Sequence, residues 1–313
     1  MIDVLLLGNG AMQPMPDRFL SSTLFRVGSR LHLVDCGEGT QVAMRKFHWG
    51  FKALDSIMLT HFHADHIAGL PGLMHTLAHS GKTEPLQILG PKGTYEVVSH
   101  LFYIVPNLPF EVYVQELEHG DTADLASGVQ VRVAEGEHRG PVLAYRFDLD
   151  RAPAFLPDNA IALGVPQKLW GTLQKGNSIE VDGRTVTPAD VLSAPRRGVS
   201  LGLATDTRPV PAIRDLMEEV DLLICEATYG DDADADKARE RGHMTFREAA
   251  TLAVNARAGA LWLTHFGVGL SNPGEYGANA TDVFPNTTLG ESGLVGTIAF
   301  ETGYAPSLTR IGS

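Results

Sequence analysis

Four side chains able to bind a metal stand within six residues at His61-Phe62-His63-Ala64-Asp65-His66, directly after the apolar run 56 to 60. Imidazole and carboxylate donors suit zinc, manganese or iron, and the lack of thiolate removes most structural-zinc readings. The cluster lies between a strand and a helix, at a strand's end, where α/β folds place chemistry. It therefore points to a two-metal hydrolytic site, best suited to zinc. One turn cannot saturate two metals, so further donors must come from other strand ends. His138 follows Val129 to Val133, Asp206 follows Leu201 to Thr205, and His265 follows Leu261 to Thr264. Each repeats the pattern of an apolar strand delivering one donor.

The surrounding chain offers those strands. Short apolar runs bounded by Gly, Pro or Asp predict strands at 2 to 8, 31 to 36, 56 to 60, 86 to 89, 128 to 134, 142 to 148, 199 to 204, 221 to 226 and 260 to 264. Helical periodicity predicts helices at 38 to 47, 66 to 79, 94 to 104, 209 to 219 and 245 to 257. With 313 residues and 44% hydrophobic content the chain can bury a large core, and two packed sheets flanked by helices is the expected α/β architecture. No apolar run approaches 18 residues, and Met1 to Gly8 lacks a basic leader and is too short for a signal h-region, which predicts a cytoplasmic protein. Cys36 and Cys225, the two cysteines, each lie in an apolar run, which argues against a disulfide framework.

Residues 151 to 197 break the rhythm with five prolines, and are expected to form a long functional loop with a small hairpin around Asp182-Gly183. Charge is also uneven. The net charge of −12 opposes non-specific binding to nucleic acid, yet Arg151 to Gly198 carries six basic residues against four acidic ones.

The run Thr60 to Gly72 (THFHADHIAGLPG) resembles the signature of the metallo-β-lactamase superfamily, and specifically of the ribonuclease Z family. Further matching motifs span almost the whole chain: Asp35-Cys36-Gly37-Glu38-Gly39-Thr40-Gln41, Gly90-Pro91-Lys92-Gly93, Asp206-Thr207-Arg208-Pro209, Glu226-Ala227-Thr228-Tyr229, His243-Met244-Thr245 and Leu263-Thr264-His265-Phe266. The resemblance implies a single αββα four-layer sandwich over 1 to 313, with a flexible arm inserted at about 151 to 197. It also implies two zinc ions per subunit, with manganese or iron as substitutes. One would be held by His61, His63 and His138, the other by Asp65, His66 and His265, with Asp206 bridging them.

Two divalent cations so placed activate water and polarise a phosphodiester. Asp65 is then the candidate base, and His243, oriented by Glu226, the candidate proton donor to the departing oxygen. The implied substrate is precursor tRNA, cut to release its 3′ trailer, with Lys168, Trp170 and Arg208 as candidate substrate contacts. Trp170 fits a stacking face and an apolar anchor equally well. Family members are usually homodimers, which the resemblance extends to this chain.

The departures from the family fall on recognition: the arm lacks a Gly-Pro tip, Pro14 to Phe19 differs from the usual basic loop, and Gly267-Val268-Gly269 replaces polar residues. A di-zinc hydrolase of small phosphodiesters, or of sulfate or carboxylic esters, is the alternative enzyme. A non-catalytic RNA-binding protein is the third reading, disfavoured by the complete donor set.

Overall fold

The computed structural model describes residues 1–16 and 18–305. It begins with an antiparallel meander, β1 (Ile2–Gly8), β2 (Ser22–Val27) and β3 (Arg30–Val34). Helix α1 (Thr40–Lys46), β4 (Leu54–Met58), the short α2 (Ala64–Ile67) and α3 (Leu70–His79) come next. Then follow β5 (Leu86–Pro91), α4 (Thr94–Phe102), β6 (Val112–Leu117), β7 (Thr122–Asp124), β8 (Val129–Glu135) and β9 (Leu143–Arg151). Between β9 and β12 lie α5 (Pro157–Ala162), α6 (Trp170–Gln174), β10 (Ile179–Val181), β11 (Arg184–Val186) and α7 (Pro188–Val191). The chain continues with β12 (Arg196–Ala204), α8 (Pro211–Leu216), β13 (Leu222–Glu226), α9 (Ala235–Arg241) and α10 (Phe246–Asn255). It closes with β14 (Leu261–Thr264), α11 (Gly277–Thr281), β15 (Thr287–Leu289), β16 (Val295–Ala299) and β17 (Gly303–Ala305).

Among the described residues these strands make two large sheets, ordered β17-β16-β1-β2-β3-β4-β5-β6 and β15-β14-β13-β12-β9-β8-β7. Alternation along each strand sorts the side chains into layers. Ile2, Val4 and Leu6 of β1 face inward and join Val131, Tyr145, Phe147, Leu201, Ile224 and Trp262 of the other sheet in one core. Leu5 and Leu7 point the opposite way, against Met44 of α1 and Leu73 and Leu77 of α3. On the second sheet Leu223, Cys225 and Leu263 face outward onto Ile213 of α8 and Phe246, Ala249 and Ala250 of α10. The result is the expected αββα sandwich. Truncating a residue such as the fully buried Trp262 to alanine would cost about 3–5 kcal/mol.

The helix expected over 66 to 79 divides into α2 and α3 at Ala68-Gly69, and the reason is a backbone contact. Cys36 N–H donates to the His66 carbonyl at 2.7 Å, and Gly69 N–H donates to the Cys36 carbonyl at 2.9 Å. A Cβ on Gly69 would lie 2.1 Å from the Gly37 carbonyl oxygen, so only glycine permits this stitch between the metal-capable turn and the end of β3. The two cysteines are buried and unbridged.

Residues Asp150–Gly198 form a compact unit of their own. The loop expected there is a correction: the segment folds around Ala160, Val165, Leu173, Val186 and Val191. Its helices span only four to six residues each, too short to show a 3.6-residue period. Pro157 and Pro188 stand in the first turn of α5 and α7, where a missing N–H costs nothing. The hairpin does form, with Asp182 and Gly183 at φ 49° and 77°, as a two-residue Asp-Gly turn requires.

Candidate metal centre

Parallel pairing of β12, β13 and β14 aligns Ala204 with Cys225 and Glu226 with Thr264, so the residues that follow leave the sheet along one edge. Asp206 and His265 leave it with φ of 51° and 59°, and Asp35, just past β3, has φ of 58°. Left-handed backbone at a non-glycine residue is uncommon and costly, and it clusters where function fixes the chain.

Asp206 occupies the middle of this edge. Its Oδ1 lies 3.2 Å from His66 Nε2 and 3.1 Å from His265 Nε2. Its Oδ2 lies 3.5 Å from His61 Nε2 and 3.7 Å from His138 Nε2. Asp65 Oδ2 joins the first side, 3.7 Å from His66 Nε2 and 3.6 Å from His265 Nε2. His63 Nδ1 joins the second, 3.3 Å from His138 Nε2. Two donor groups thus share one carboxylate, and each is compact enough to hold an ion.

The far nitrogens of His61, His66, His138 and His265 are engaged. Asp35 accepts from His66 Nδ1 at 2.7 Å and from the Thr60 hydroxyl at 2.9 Å. With its proton given to Asp35, Thr60 Oγ1 can accept from His61 Nδ1 at 3.0 Å. Thr228 likewise donates to Glu226 at 2.8 Å and accepts from His265 Nδ1 at 3.0 Å. His138 Nδ1 donates to the Gly242 carbonyl at 3.1 Å. A Cβ on Gly242 would sit 2.8 Å from that same nitrogen, and its φ of 75° independently calls for glycine. Each arrangement fixes the tautomer so that Nε2 turns a lone pair toward Asp206, the way metal-binding imidazoles are held.

The electrostatics fit a cation. His61 Nε2 is buried with no hydrogen-bond partner, a costly state that a cation coordinated there would relieve. Burial pushes the His61 imidazole well below its ordinary pKa, with the neighbouring His66 acting in the same direction. At His66 burial acts downward too, but Asp206 and Asp35 outweigh it and hold the ring well above its ordinary value. Burial penalises the charge of Asp206, yet His265, His66 and His61 keep its carboxyl well below the usual range. Burial likewise opposes the charge of Asp65, and its contacts with His265, His66 and the Met12 N–H hold it low. The carboxylates therefore demand positive charge where the two groups meet.

His243 lies beside this centre, its ring 4.9 Å from that of His138 and 5.6 Å from that of His265. Its Nδ1 is 3.0 Å from Glu226 Oε1. Glu226 is fully buried and also accepts from Thr207 N at 2.7 Å and Met244 N at 3.1 Å. Burial alone would lower the His243 pKa, but Glu226 overcomes it and raises the ring to about 9. Fixed on Glu226 through Nδ1, the ring is oriented to serve as an acid through its other nitrogen.

The candidate substrate contacts behave differently. Lys168 is exposed in the Asp150–Gly198 unit. Trp170 is half-buried there, with Nε1 donating to the Val165 carbonyl at 3.1 Å and its ring 5.0 Å from Phe155, so it serves as an apolar anchor rather than an open stacking face. Arg208 is also a correction. It is buried, and its guanidinium binds Glu248 and the His243 carbonyl instead of facing outward. In the Pro14 to Phe19 loop, Asp17 lies outside the described residues, while Arg18 donates to the Leu270 carbonyl at 3.1 Å. Sequence reasoning gave no role to Asp35, Thr60, Thr228 or Gly242. The first three stand inside quoted motifs, but nothing in a linear pattern says which imidazole each will hold.

Ribonuclease Z of Clostridium beijerinckii is 45% identical to this chain over 296 residues, which cover 93% of the chain and 96% of the relative. The chain belongs to the ribonuclease Z family. The crystal structure of the short form of human tRNase Z matches 95% of it at 28% identity, with a TM-score of 0.69, and is itself covered to 99%. YhfI of Bacillus subtilis, a metallo-β-lactamase fold protein, matches 94% of this chain with a TM-score of 0.68 and is covered to 98%; at 21% identity this likeness concerns the fold alone. A family profile described as "Anti-Pycsar protein Apyc1" matches residues 2–100, which run from β1 through the metal-capable turn into α4. Like the rest of the ribonuclease Z family, the chain has the metallo-β-lactamase fold and is a metal-dependent hydrolase. Among the described residues no helix is long and apolar enough to cross a membrane.

Proposed function

We propose that this protein is the endoribonuclease that removes the 3′ trailer from precursor tRNA, leaving a 3′-hydroxyl on the tRNA and a 5′-phosphate on the trailer. The observation that carries this reading is Asp206, whose two oxygens divide between two imidazole groups beside a His243 whose Nδ1 is held by Glu226. His61, His63 and His138 would hold one zinc ion, Asp65, His66 and His265 the other, and Asp206 both, with manganese or iron as substitutes. Bound together, such ions supply the Lewis acidity that activates water and stabilises charge on a phosphodiester in flight.

The residues supply the remaining steps. Asp65, its Oδ2 steadied by the Met12 N–H at 2.7 Å, orients the attacking water and accepts its proton. His243, with Nδ1 fixed on Glu226, gives the proton on its other nitrogen to the departing ribose 3′ oxygen. Without that proton the leaving group would be an alkoxide, so the acid matters most where the leaving oxygen is most basic. Lys168 and the other exposed cations of the Asp150–Gly198 unit contact the phosphates of the tRNA body, positioning it without reading sequence. We assign the working form as a cytoplasmic homodimer, which sedimentation of the purified protein tests directly.

The deciding experiment offers the zinc-loaded protein a precursor tRNA with a 3′ trailer and, separately, bis(4-nitrophenyl) phosphate. Cleavage of the precursor at the trailer junction is the expected result. Hydrolysis of the small ester alone would sink the tRNA reading in favour of a small-phosphodiester hydrolase, and failure on both with metal bound would sink the enzyme reading.

A further inference from the structure

Three consecutive residues after β12 each hold a different part of the centre. Asp206 lies between the two donor groups. Thr207 N–H donates to Glu226, and its hydroxyl accepts from the N–H of Glu137, the neighbour of His138, at 2.9 Å. Arg208 donates to the backbone carbonyl of His243 and to both carboxylate oxygens of Glu248. Glu248 in turn accepts from Thr245 N–H at 2.9 Å, while the Thr245 hydroxyl accepts from Glu248 N–H at 3.2 Å, closing a capping box at the start of α10. His243 and Met244 fill the short gap between α9 and this cap. One guanidinium thus grips both the carbonyl of His243 and the cap that follows it.

We propose that Arg208 is a positioning residue for the proton donor: its fork fixes the His243 backbone relative to Asp206, so that acid and bridging carboxylate move as one body. Arg208 is buried and its donors face inward, so it has no free fork to offer a phosphate. A rigid, planar, five-donor group suits this task, whereas lysine would have to choose between the carbonyl and the carboxylate. The inference rests on His243 being the proton donor.

Leaving-group basicity tests it. The 4-nitrophenolate ion leaves without needing a proton, while a ribose 3′ oxygen does not, so loss or misplacement of the acid must be felt on tRNA and largely spared on the chromogenic ester. His243→Ala should lower kcat on precursor tRNA by about 10²-fold or more, with a much smaller loss on bis(4-nitrophenyl) phosphate. Arg208→Met should reproduce that selectivity, roughly 10- to 100-fold in kcat with KM changed less than about twofold. Adding it to His243→Ala should cost almost nothing further, because both changes would remove one function. Arg208→Lys guards against a folding defect, and an intermediate loss with the same selectivity is expected. Selective loss in His243→Ala together with equal loss on both substrates in Arg208→Met and Arg208→Lys would overturn the positioning role alone. Equal loss on both substrates in His243→Ala would overturn the proton-donor reading and this inference with it. A large rise in KM for tRNA in Arg208→Met would return Arg208 to substrate binding.

Discussion

At the metal edge His61, His66, His138 and His265 each have the far nitrogen held by a hydroxyl, a carboxylate or a carbonyl, and three nearby residues accept left-handed backbone to aim their side chains. The Asp150–Gly198 unit is organised otherwise. A small apolar cluster and one Asp-Gly hairpin hold it together, and Lys168 is exposed to solvent. Coordination and proton transfer tolerate errors of only a few tenths of an ångström, so each group must be braced. Attraction to a phosphate backbone works through charge and reach and tolerates more. The comparison predicts that changes to the metal donors will affect every substrate, and changes in the Asp150–Gly198 unit only tRNA.

The largest effect should come from Asp65→Ala. It removes a donor from one group and the proposed base at once, and should lower kcat by roughly 10³- to 10⁴-fold on precursor tRNA and on bis(4-nitrophenyl) phosphate alike. Elemental analysis should show less bound metal. Should the small ester survive the substitution, the metal edge would not be serving chemistry common to both substrates.

The same contrast explains what the sequence disclosed. His61 to His66 could be read because coordination restricts residue type, and His138, Asp206 and His265 because each terminates an apolar strand. The central strands could be read from short apolar runs bounded by Gly, Pro or Asp, while β2, β6, β16 and β17 gave no such run. Asp35 escaped assignment because its task, taking the His66 Nδ1 proton, depends on β3 and β4 pairing in parallel so that Val34 meets Met58. Arg208, a candidate substrate contact in the sequence, is buried instead because the start of α10 brings Glu248 onto its guanidinium. The Asp150–Gly198 unit resembled a loop because its helices span less than two helical turns each, and two of its five prolines, Pro157 and Pro188, start helices rather than break them.

Excision of residues 152 to 195, replaced by a short Gly-Ser linker, should be the next largest effect. We expect kcat/KM for precursor tRNA to fall by about 10²-fold, chiefly through KM, with the chromogenic ester within about twofold of the intact protein. Equal loss on both substrates would make the unit a structural support of the metal edge and erase the distinction between the two regions.

A smaller, pH-dependent effect belongs to Glu226→Gln. The carboxylate is what carries His243 to about 9 against the downward pull of burial. A proton donor works below its pKa, so kcat on precursor tRNA should hold through neutral pH and decline as pH rises through about 9. With glutamine the downward pull of burial is opposed only by weaker neighbours, and the alkaline limb should move to lower pH. Near pH 8.5 a shift of one unit amounts to about a threefold loss, and a shift of two units to about 25-fold. An unmoved limb would separate Glu226 from the acid and leave it as a purely structural hub.

Lys168→Ala should give the smallest effect, and it probes the looser half of the comparison most directly. One solvated cation contributes a single phosphate contact, so affinity for precursor tRNA should weaken only about two- to threefold at moderate salt. The slope of log affinity against log salt should become shallower by about 0.7–0.9, the amount expected for one counterion no longer released. The salt slope is the sharper readout, because a lost shaped contact would weaken binding without changing it. If Lys168→Ala instead weakened binding tenfold or more with the slope intact, Lys168 would be a braced contact, and the Asp150–Gly198 unit would have to be regarded as built to the same tolerance as the metal edge.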